Sequence, residues 1–100
     1  MNATALVNQK DGYAEIHGEL TFDTVPGLCE RSAAMMQGDY PVVTVDMRHV
    51  SRADSAGLAL MVQWLRLARA ANRQLQFISV PEQVRQLLRV SGLDEAFSVN

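Results

Sequence analysis

The sequence contains a single cysteine, no surplus of basic residues and no long hydrophobic run, and each absence excludes a class of protein. Cys29 cannot form an internal disulfide, and a lone cysteine on an apolar helix face is typical of a reducing cytosol. A formal net charge of −2 argues against nucleic-acid binding, because no basic stripe neutralises phosphates. No window approaches the roughly 18 apolar residues of a membrane span, and the N-terminus has no signal-peptide pattern. We therefore expect a cytoplasmic protein that reaches a membrane only through a partner.

Motifs for metal binding, phosphate binding and hydrolysis are absent as well. His17, His49 and Cys29 show no metal-ligand spacing, and no glycine-rich run precedes a Gly-Lys-Ser. Ser55 lies in Ala-Asp-Ser-Ala-Gly, whereas a hydrolase elbow needs G-x-S-x-G. His49 precedes Ser55 in a predicted loop, but no acidic residue stands out to orient it as a base. We therefore expect no enzyme activity, no cofactor and no metal. A hydrolase that uses Ser55 is a third hypothesis, after the two binding functions given below.

The 100 residues, 48% hydrophobic and 20% charged, fit one domain over residues 1–100. An Asp-Gly turn at Gly12 predicts a hairpin of Ala3–Asn8 with Tyr13–Leu20, whose Glu15 and His17 face solvent. Two more strands are predicted. The first is Val42–Met47, which is expected to end at Asp46 and to be covered on both faces. The second is Gln74–Val80.

Helical spacing predicts three main helices between and after these strands. The first begins at Asp23 or Thr24, includes Met35 and Met36, and closes at Gly38. The third follows a capping box of Ser79 and Glu82 and stops at Gly92, before a last helical turn within Leu93–Val99. This order predicts an α/β fold: a four-stranded mixed, mostly parallel sheet with an N-terminal β-hairpin and three to four helices.

The second helix, within Ser51–Asn72, has an apolar arc about 200° wide, roughly double what a helix on a sheet requires. One cluster is expected to face the sheet: Leu58, Met61, Val62 and Leu65. A second cluster contains Leu60, Trp64 and Leu67. Either the neighbouring helices cover this second cluster, or it docks a partner protein with Trp64 as the anchor.

Ser55 lies at the junction between the loop that follows the predicted Val42–Met47 strand and the start of this helix. It could serve as the helix cap. Phosphorylation is the alternative chemistry, because a phosphate at a helix N-terminus meets backbone N–H groups and the positive end of the dipole. Beside Asp54 it would add about −1.5 to −2 charge, which could switch a docking surface without unfolding the protein.

The strand VVTVDM, the loop RHVSRADSAGL and the helix after it resemble the STAS domain family of anti-sigma factor antagonists, over essentially the whole chain. Asp46 matches the acidic residue at the strand end, and Asp54-Ser55-x-Gly57-Leu58 matches the motif D-[ST]-x-G-L. The resemblance implies that Ser55 is the phospho-acceptor and that the surrounding loop and helix start bind a partner. The expected partner-binding residues are His49, Arg52, Asp54, Ser55, Ala56, Leu60 and Trp64.

Two segments, HGEL (His17–Leu20) and VSRADSAGLAL (Val50–Leu60), look like the STAS subunits of Mla phospholipid transporters. That resemblance implies a non-enzymatic cytoplasmic subunit that binds the ATPase of an ABC transporter. Through that ATPase it would reach an inner-membrane permease and contribute to outer-membrane lipid asymmetry. Those subunits often have Thr followed by Gly at the acceptor position. The Ser55-Ala56 pair departs from this pattern and keeps open the alternative of an anti-sigma factor antagonist, switched by a serine kinase at Ser55.

Overall fold

The computed structural model describes residues 5–10, 12–32, 40–93 and 97–99, which form one five-stranded sheet with three helices. The strands lie side by side in chain order; β1 is antiparallel to β2, and every later neighbour is parallel. The predicted α/β class, N-terminal hairpin and mostly parallel sheet are confirmed. The elements are β1 (Ala5–Lys10), β2 (Tyr13–Leu20), α1 (Val25–Ser32), β3 (Val42–Ala53), α2 (Ser55–Ala70), β4 (Gln74–Ile78), α3 (Glu82–Val90) and β5 (Ser98–Val99).

The fifth strand replaces the helical turn predicted near the C-terminus. Ser98 and Val99 pair in parallel with Gln76 and Phe77 of β4, so the predictions of four strands and of a helix at these two residues are wrong. The adjoining Phe97 is 4% exposed, and its ring meets that of Phe77 edge to face at 5.2 Å. Burial of this aromatic ring holds the short strand against the sheet.

The predicted end of the first helix lies outside the described residues. The structure describes α1 over Val25–Ser32, and Met35, Met36 and Gly38 fall beyond it. Thr24 precedes the helix, as predicted. Its hydroxyl donates to the Glu19 carbonyl at 2.7 Å and accepts from the Thr21 N–H at 3.0 Å, so it ties the helix start back to β2.

Strand β3 is twice as long as the sequence predicts, because β2 pairs with it well beyond Asp46. β4 pairs with it from Val42 to Asp46, whereas β2 continues to pair with it as far as Ala53. Irregular register interrupts the β2–β3 pairing twice, between Glu15 and His17 and again after Gly18. The predicted end at Asp46 is therefore wrong. β3 ends at Ala53, and α2 begins two residues later at Ser55.

One face of the sheet is apolar and the other is polar. Val43, Val45 and Met47 of β3 are at most 1% exposed, whereas Val42 is 37% exposed and Thr44 is half-buried. The expectation that both faces of this strand are covered fails at Val42 and Thr44, although Asp46 on the same face is only 6% exposed. The β-branched run reflects strand propensity as well as burial.

The third helix begins differently from the prediction and ends as predicted. Ser79 has a left-handed φ of +54°, and α3 begins after Pro81 with no side-chain cap, so the predicted capping box is wrong. At the other end Gly92 has φ +72°, and the Leu93 N–H donates to the Leu88 carbonyl at 2.8 Å. This is the bonding of a glycine stop, which was predicted.

The buried stripe of α2 runs between the two apolar clusters expected from its sequence. Met61, Trp64 and Ala68 are fully buried, and the indole of Trp64 stacks near the ring of Phe77 with the centroids 6.4 Å apart. Val62 and Leu65, expected to face the sheet, are only half-buried. The helix is thus rotated toward the second cluster, of which Leu60 and Trp64 are buried and Leu67 is 37% exposed. No helix in the described part of the chain is long and apolar enough to cross a membrane.

Candidate functional site

Asp54 forms the cap of α2. Its Oδ1 atom accepts hydrogen bonds from the backbone N–H groups of Ala56 at 2.9 Å and Gly57 at 3.3 Å, with extended backbone at the cap residue. These are N–H groups that a helix start otherwise leaves without an intrahelical partner. The interpretation of Ser55 as the cap is therefore wrong, because its neighbour satisfies those donors.

The same carboxylate also holds the loop that follows β2. Its Oδ2 atom accepts the Phe22 N–H at 3.0 Å, and the Asp54 N–H donates to the Leu20 carbonyl at 3.1 Å. Burial alone would raise the pKa of the Asp54 carboxyl, but the three backbone donors and the charge of Arg52 outweigh it and lower that pKa. Asp54 is therefore ionised at neutral pH.

Gly57 permits the close approach of α2 to the end of β2. A Cβ atom at this buried position would overlap the carbonyl oxygen of Leu20 and lie 2.8 Å from its Cβ. The glycine of the Asp-Ser-x-Gly-Leu motif is thus required by packing. It fixes the first turn of α2 against the sheet and so fixes the position of Ser55.

A side chain of α3 holds the other side of the junction. The Ala53 N–H donates to Gln83 Oε1 at 2.9 Å, and Gln83 Nε2 donates to the Ala53 carbonyl at 2.8 Å. The Gln83 amide thus takes the place of a neighbouring strand at the last residue of β3, beyond the reach of β4. Ala53 and Asp54 are therefore fixed by β2 on one side and by α3 on the other.

On this fixed base, Ser55 is exposed. No hydrogen bond joins its hydroxyl to another residue in the described ranges. An open groove of about 500 Å³ begins at Ser55 and follows one face of α2. Its lining consists of Ser55, Leu58, Ala59, Val62, Gln63, Arg66 and Leu93.

Phe22 is an exposed aromatic residue whose backbone lies next to the cap of α2. Its side chain is 78% exposed, although its backbone N–H is bonded to the cap of α2. Sequence reasoning missed Phe22 and Gln83, because neither lies in the Asp-Ser-x-Gly-Leu motif. The available signal for Phe22 was an aromatic residue between turn-forming polar residues, outside any apolar periodicity.

The structure places some of the predicted partner-binding residues together on the surface and buries others. Asp54, Ser55 and the half-buried Ala56 form the helix start, and the exposed Arg52 lies just before it, within 3.7 Å of Glu19. His49 is exposed on β3, where a loop was predicted. Two further members are corrected and assigned to the core. Leu60 is 3% exposed and Trp64 is 0% exposed, so neither can contact a partner directly.

The fold and the motif agree with comparisons to known proteins. The family model described as "Mlab, STAS domain" matches residues 8–99. A protein named anti-sigma-B factor antagonist from Staphylococcus aureus is 30% identical over 102 residues, which cover 100% of this chain and 94% of that protein. The chain therefore belongs to the STAS domain family.

Solved structures show the same fold at lower identity. An anti-sigma-factor antagonist (STAS) domain protein from Planctomyces limnophilus superposes with a TM-score of 0.78 at 20% identity, covering 100% of this chain and 90% of that one. The Bacillus cell fate determinant SpoIIAA in its phosphorylated form superposes with a TM-score of 0.70 at 20% identity, covering 98% and 91%. Both likenesses concern the fold.

Proposed function

We propose that this chain is a non-enzymatic docking protein that binds a partner protein at the start of α2. The observation that carries the proposal is the exposed hydroxyl of Ser55, on a helix start fixed by Asp54, Gly57 and the Gln83 amide. A backbone segment that is already fixed loses little conformational entropy when a partner binds to it. We call Phe22, Ser55 and the groove along α2 the docking surface.

The chemistry of the docking surface suits a protein partner. Exposed aromatic side chains are enriched among interface residues that dominate binding energy, and Phe22 is 78% exposed beside the helix start. The groove is apolar at Leu58, Val62 and Leu93 and has the guanidinium group of Arg66 among its lining residues. A partner surface with an apolar ridge and a nearby acidic group would be complementary to this groove.

Phosphorylation of Ser55 would act as the switch on this surface. A phosphate there would lie at the positive end of the α2 dipole, so the fold would tolerate it. The Ala56 and Gly57 N–H groups already bond to the ionised Asp54, so the added charge of about −1.5 to −2 would remain largely on the surface. A partner that approaches Ser55 closely would then have to desolvate two neighbouring anionic groups.

An anti-sigma factor is the partner that the names of the relatives support, and the exposed hydroxyl of Ser55 favours one with serine-kinase activity. The relative at 30% identity is named for antagonism of an anti-sigma factor and is covered over 94% of its length. On this hypothesis the kinase binds the docking surface when Ser55 is unmodified and transfers the γ-phosphoryl group of ATP to the Ser55 oxygen, which loses its proton as ADP is released. The kinase then dissociates.

The ATPase subunit of an Mla-type phospholipid ABC transporter is the second candidate partner. The specific observation in its favour is the description "Mlab" of the family model, which matches 8–99. The chain would then act in the cytoplasm, at the inner membrane through the ATPase and its permease. It would support assembly and activity of the ATPase and so contribute to outer-membrane lipid asymmetry.

Affinity purification of the full chain from its host, with quantitative mass spectrometry, tests the docking surface. We expect the unmodified chain and Ser55→Ala to retain the partner, and Ser55→Asp to lose it by about tenfold or more. Gln86→Glu is the charge-matched control, because it adds one negative charge on an exposed position of α3. Equal recovery with Ser55→Asp and Gln86→Glu would show that the start of α2 is not the contact surface.

The identity of the captured protein separates the two candidates. A soluble serine kinase that phosphorylates Ser55 in the presence of ATP supports the anti-sigma reading and contradicts the transporter. An ATP-binding cassette ATPase recovered together with a permease from membranes supports the transporter and contradicts the anti-sigma reading. Ester hydrolysis by the pure chain that is lost in Ser55→Ala would overturn the non-enzymatic assignment.

A further inference from the structure

Three side chains with metal-ligating atoms lie together on the polar face of the sheet, away from the groove. Glu15 and His17 are two residues apart on β2, so their side chains point to the same face. His49 of β3 is the register partner of His17, and the two imidazole rings have centroids 4.3 Å apart with a 36° tilt. His17 Nε2 lies 3.0 Å from Glu15 Oε1.

We propose that Glu15, His17 and His49 form a binding site for a divalent transition-metal ion, with zinc as the reference occupant. One ligand atom from each residue can be chosen so that all three lie within 4.8 Å of one another. Zinc bonds of about 2.0–2.2 Å place atoms that share an ion about 3–4 Å apart, so small side-chain rotations close the site. The remaining coordination position would be filled by water.

The ligand set selects the class of metal. Two imidazole nitrogens and one carboxylate oxygen suit Zn²⁺, Ni²⁺ or Cu²⁺. Ca²⁺ and Mg²⁺ prefer six or more oxygen ligands, which one carboxylate does not supply. All three side chains are accessible to an incoming ion, because Glu15 and His17 are half-buried and His49 is exposed.

A hydrogen-bond network behind the cluster orients its carboxylate. The Tyr13 hydroxyl lies 3.1 Å from Glu15 Oε2 and 2.9 Å from Asp46 Oδ2, whereas Glu15 Oε1 faces His17. Outer groups of this kind hold metal ligands in place.

Metal binding would join the two strands where their pairing is least regular. The ligands Glu15 and His17 lie on either side of the first register irregularity, and His49 lies in the half of β3 that has no β4 neighbour. That half of β3 leads to Asp54. An ion shared across the strands would therefore stiffen the segment that positions the start of α2.

Calorimetric titration of the full chain with Zn²⁺ in metal-free buffer tests the site. We expect one equivalent to bind, and His17→Gln, His49→Gln and Glu15→Gln each to weaken the affinity by about tenfold or more. Cys29→Ser is the matched control, because Cys29 is exposed and lies outside the proposed site. It is the one cysteine of the sequence, whose two histidines both belong to the site. We expect this control to bind Zn²⁺ as the unmodified chain does.

Thermal unfolding gives a second readout that separates binding from folding. Saturating Zn²⁺ should raise the melting temperature of the unmodified chain and of Cys29→Ser, but not that of His49→Gln. Absence of Zn²⁺ binding at millimolar concentration would overturn the proposal. So would binding that survives His49→Gln unchanged, or binding that is abolished by Cys29→Ser. None of these results depends on the proposed partner.

Discussion

The backbone N–H of Phe22 donates to Oδ2 of Asp54 at 3.0 Å, so the cap of α2 also fixes the loop after β2. The other oxygen of the same carboxylate bonds to the first turn of the helix. One side chain therefore positions both an exposed aromatic ring and the exposed hydroxyl of Ser55. In the Asp-Ser pair, the aspartate has the structural role and the serine remains available for contact or modification.

Replacement of Asp54 by alanine is expected to destabilise the protein by about 1–2 kcal/mol at neutral pH, as loss of a helix cap does. The variant should also loosen the loop that contains Phe22, because the N–H of that residue loses its acceptor. Urea unfolding of both proteins measures the difference. Asp54→Asn is the control, since asparagine is an equally good cap and should retain most of the stability.

The contribution of Asp54 should depend on pH in one direction. Its folded-state pKa lies below the unfolded value of about 3.9, so its stabilisation is fully present above that value. It is lost as the pH falls through the folded-state pKa. The difference in stability between the unmodified chain and Asp54→Asn should therefore shrink below about pH 4. A difference that grew on acidification would contradict the lowered pKa.

Gly57→Ala is expected to destabilise the protein by about 1–3 kcal/mol, the usual cost of overpacking. The added methyl group would overlap the Leu20 carbonyl, and α2 would have to move away from β2. Gly27→Ala is the control on α1, a helix position where an added Cβ does not meet the sheet. Within the described part of the chain nothing outside its own helix would obstruct that methyl group, so the variant should stabilise the protein by about 0.5–1 kcal/mol, since glycine is the poorer helix former. Chemical denaturation compares the two variants.

Gln83→Ala should free the end of β3 from α3. Both backbone groups of Ala53 lose their bonds to the Gln83 amide, and we expect a destabilisation of about 1–3 kcal/mol. Hydrogen exchange should accelerate at the Ala53 amide more than elsewhere in the sheet. Gln86→Ala, at an exposed position of the same helix, should leave both quantities nearly unchanged. Similar behaviour of the two variants would show that the amide contacts contribute little.

The sequence predicts elements well where periodicity or turn chemistry is strong. The hairpin at Gly12, the strand from Val42, the helix after Ser55 and the stop at Gly92 are all confirmed. Prediction fails where long-range pairing decides. β3 continues to Ala53 because β2 pairs with it there, and β5 forms because Phe97 packs on Phe77. Neither contact leaves a local pattern.

The start of α2 was predicted in its position, but the separate roles of Asp54 and Ser55 were not. The motif at Asp54-Ser55 indicated the helix start, whereas the choice of cap between the two residues depends on which side chain reaches the Ala56 N–H. The pairing of His17 with His49 depends on an irregular register between strands that are distant in sequence. No spacing rule along one chain segment could identify that cluster.

Trp64 is expected to report on the core and not on the docking surface. Its side chain is 0% exposed and packs near Phe77, so its fluorescence should be blue-shifted and poorly quenched by iodide. Binding of a partner at the start of α2 should leave this emission nearly unchanged. Quenching or a red shift on partner binding would show that the second apolar cluster opens to the partner and would contradict its assignment to the core.

Mutation of the same cluster gives the matching energetic test. Trp64→Ala should cost about 3–5 kcal/mol, the range for a buried aromatic side chain, because it leaves a large cavity against Phe77. Leu67 belongs to the same cluster but is 37% exposed. Leu67→Ala should therefore cost about 1 kcal/mol or less, since little apolar surface is lost from the interior. Chemical denaturation measures both costs, and comparable values would mean that the helix is rotated differently in solution.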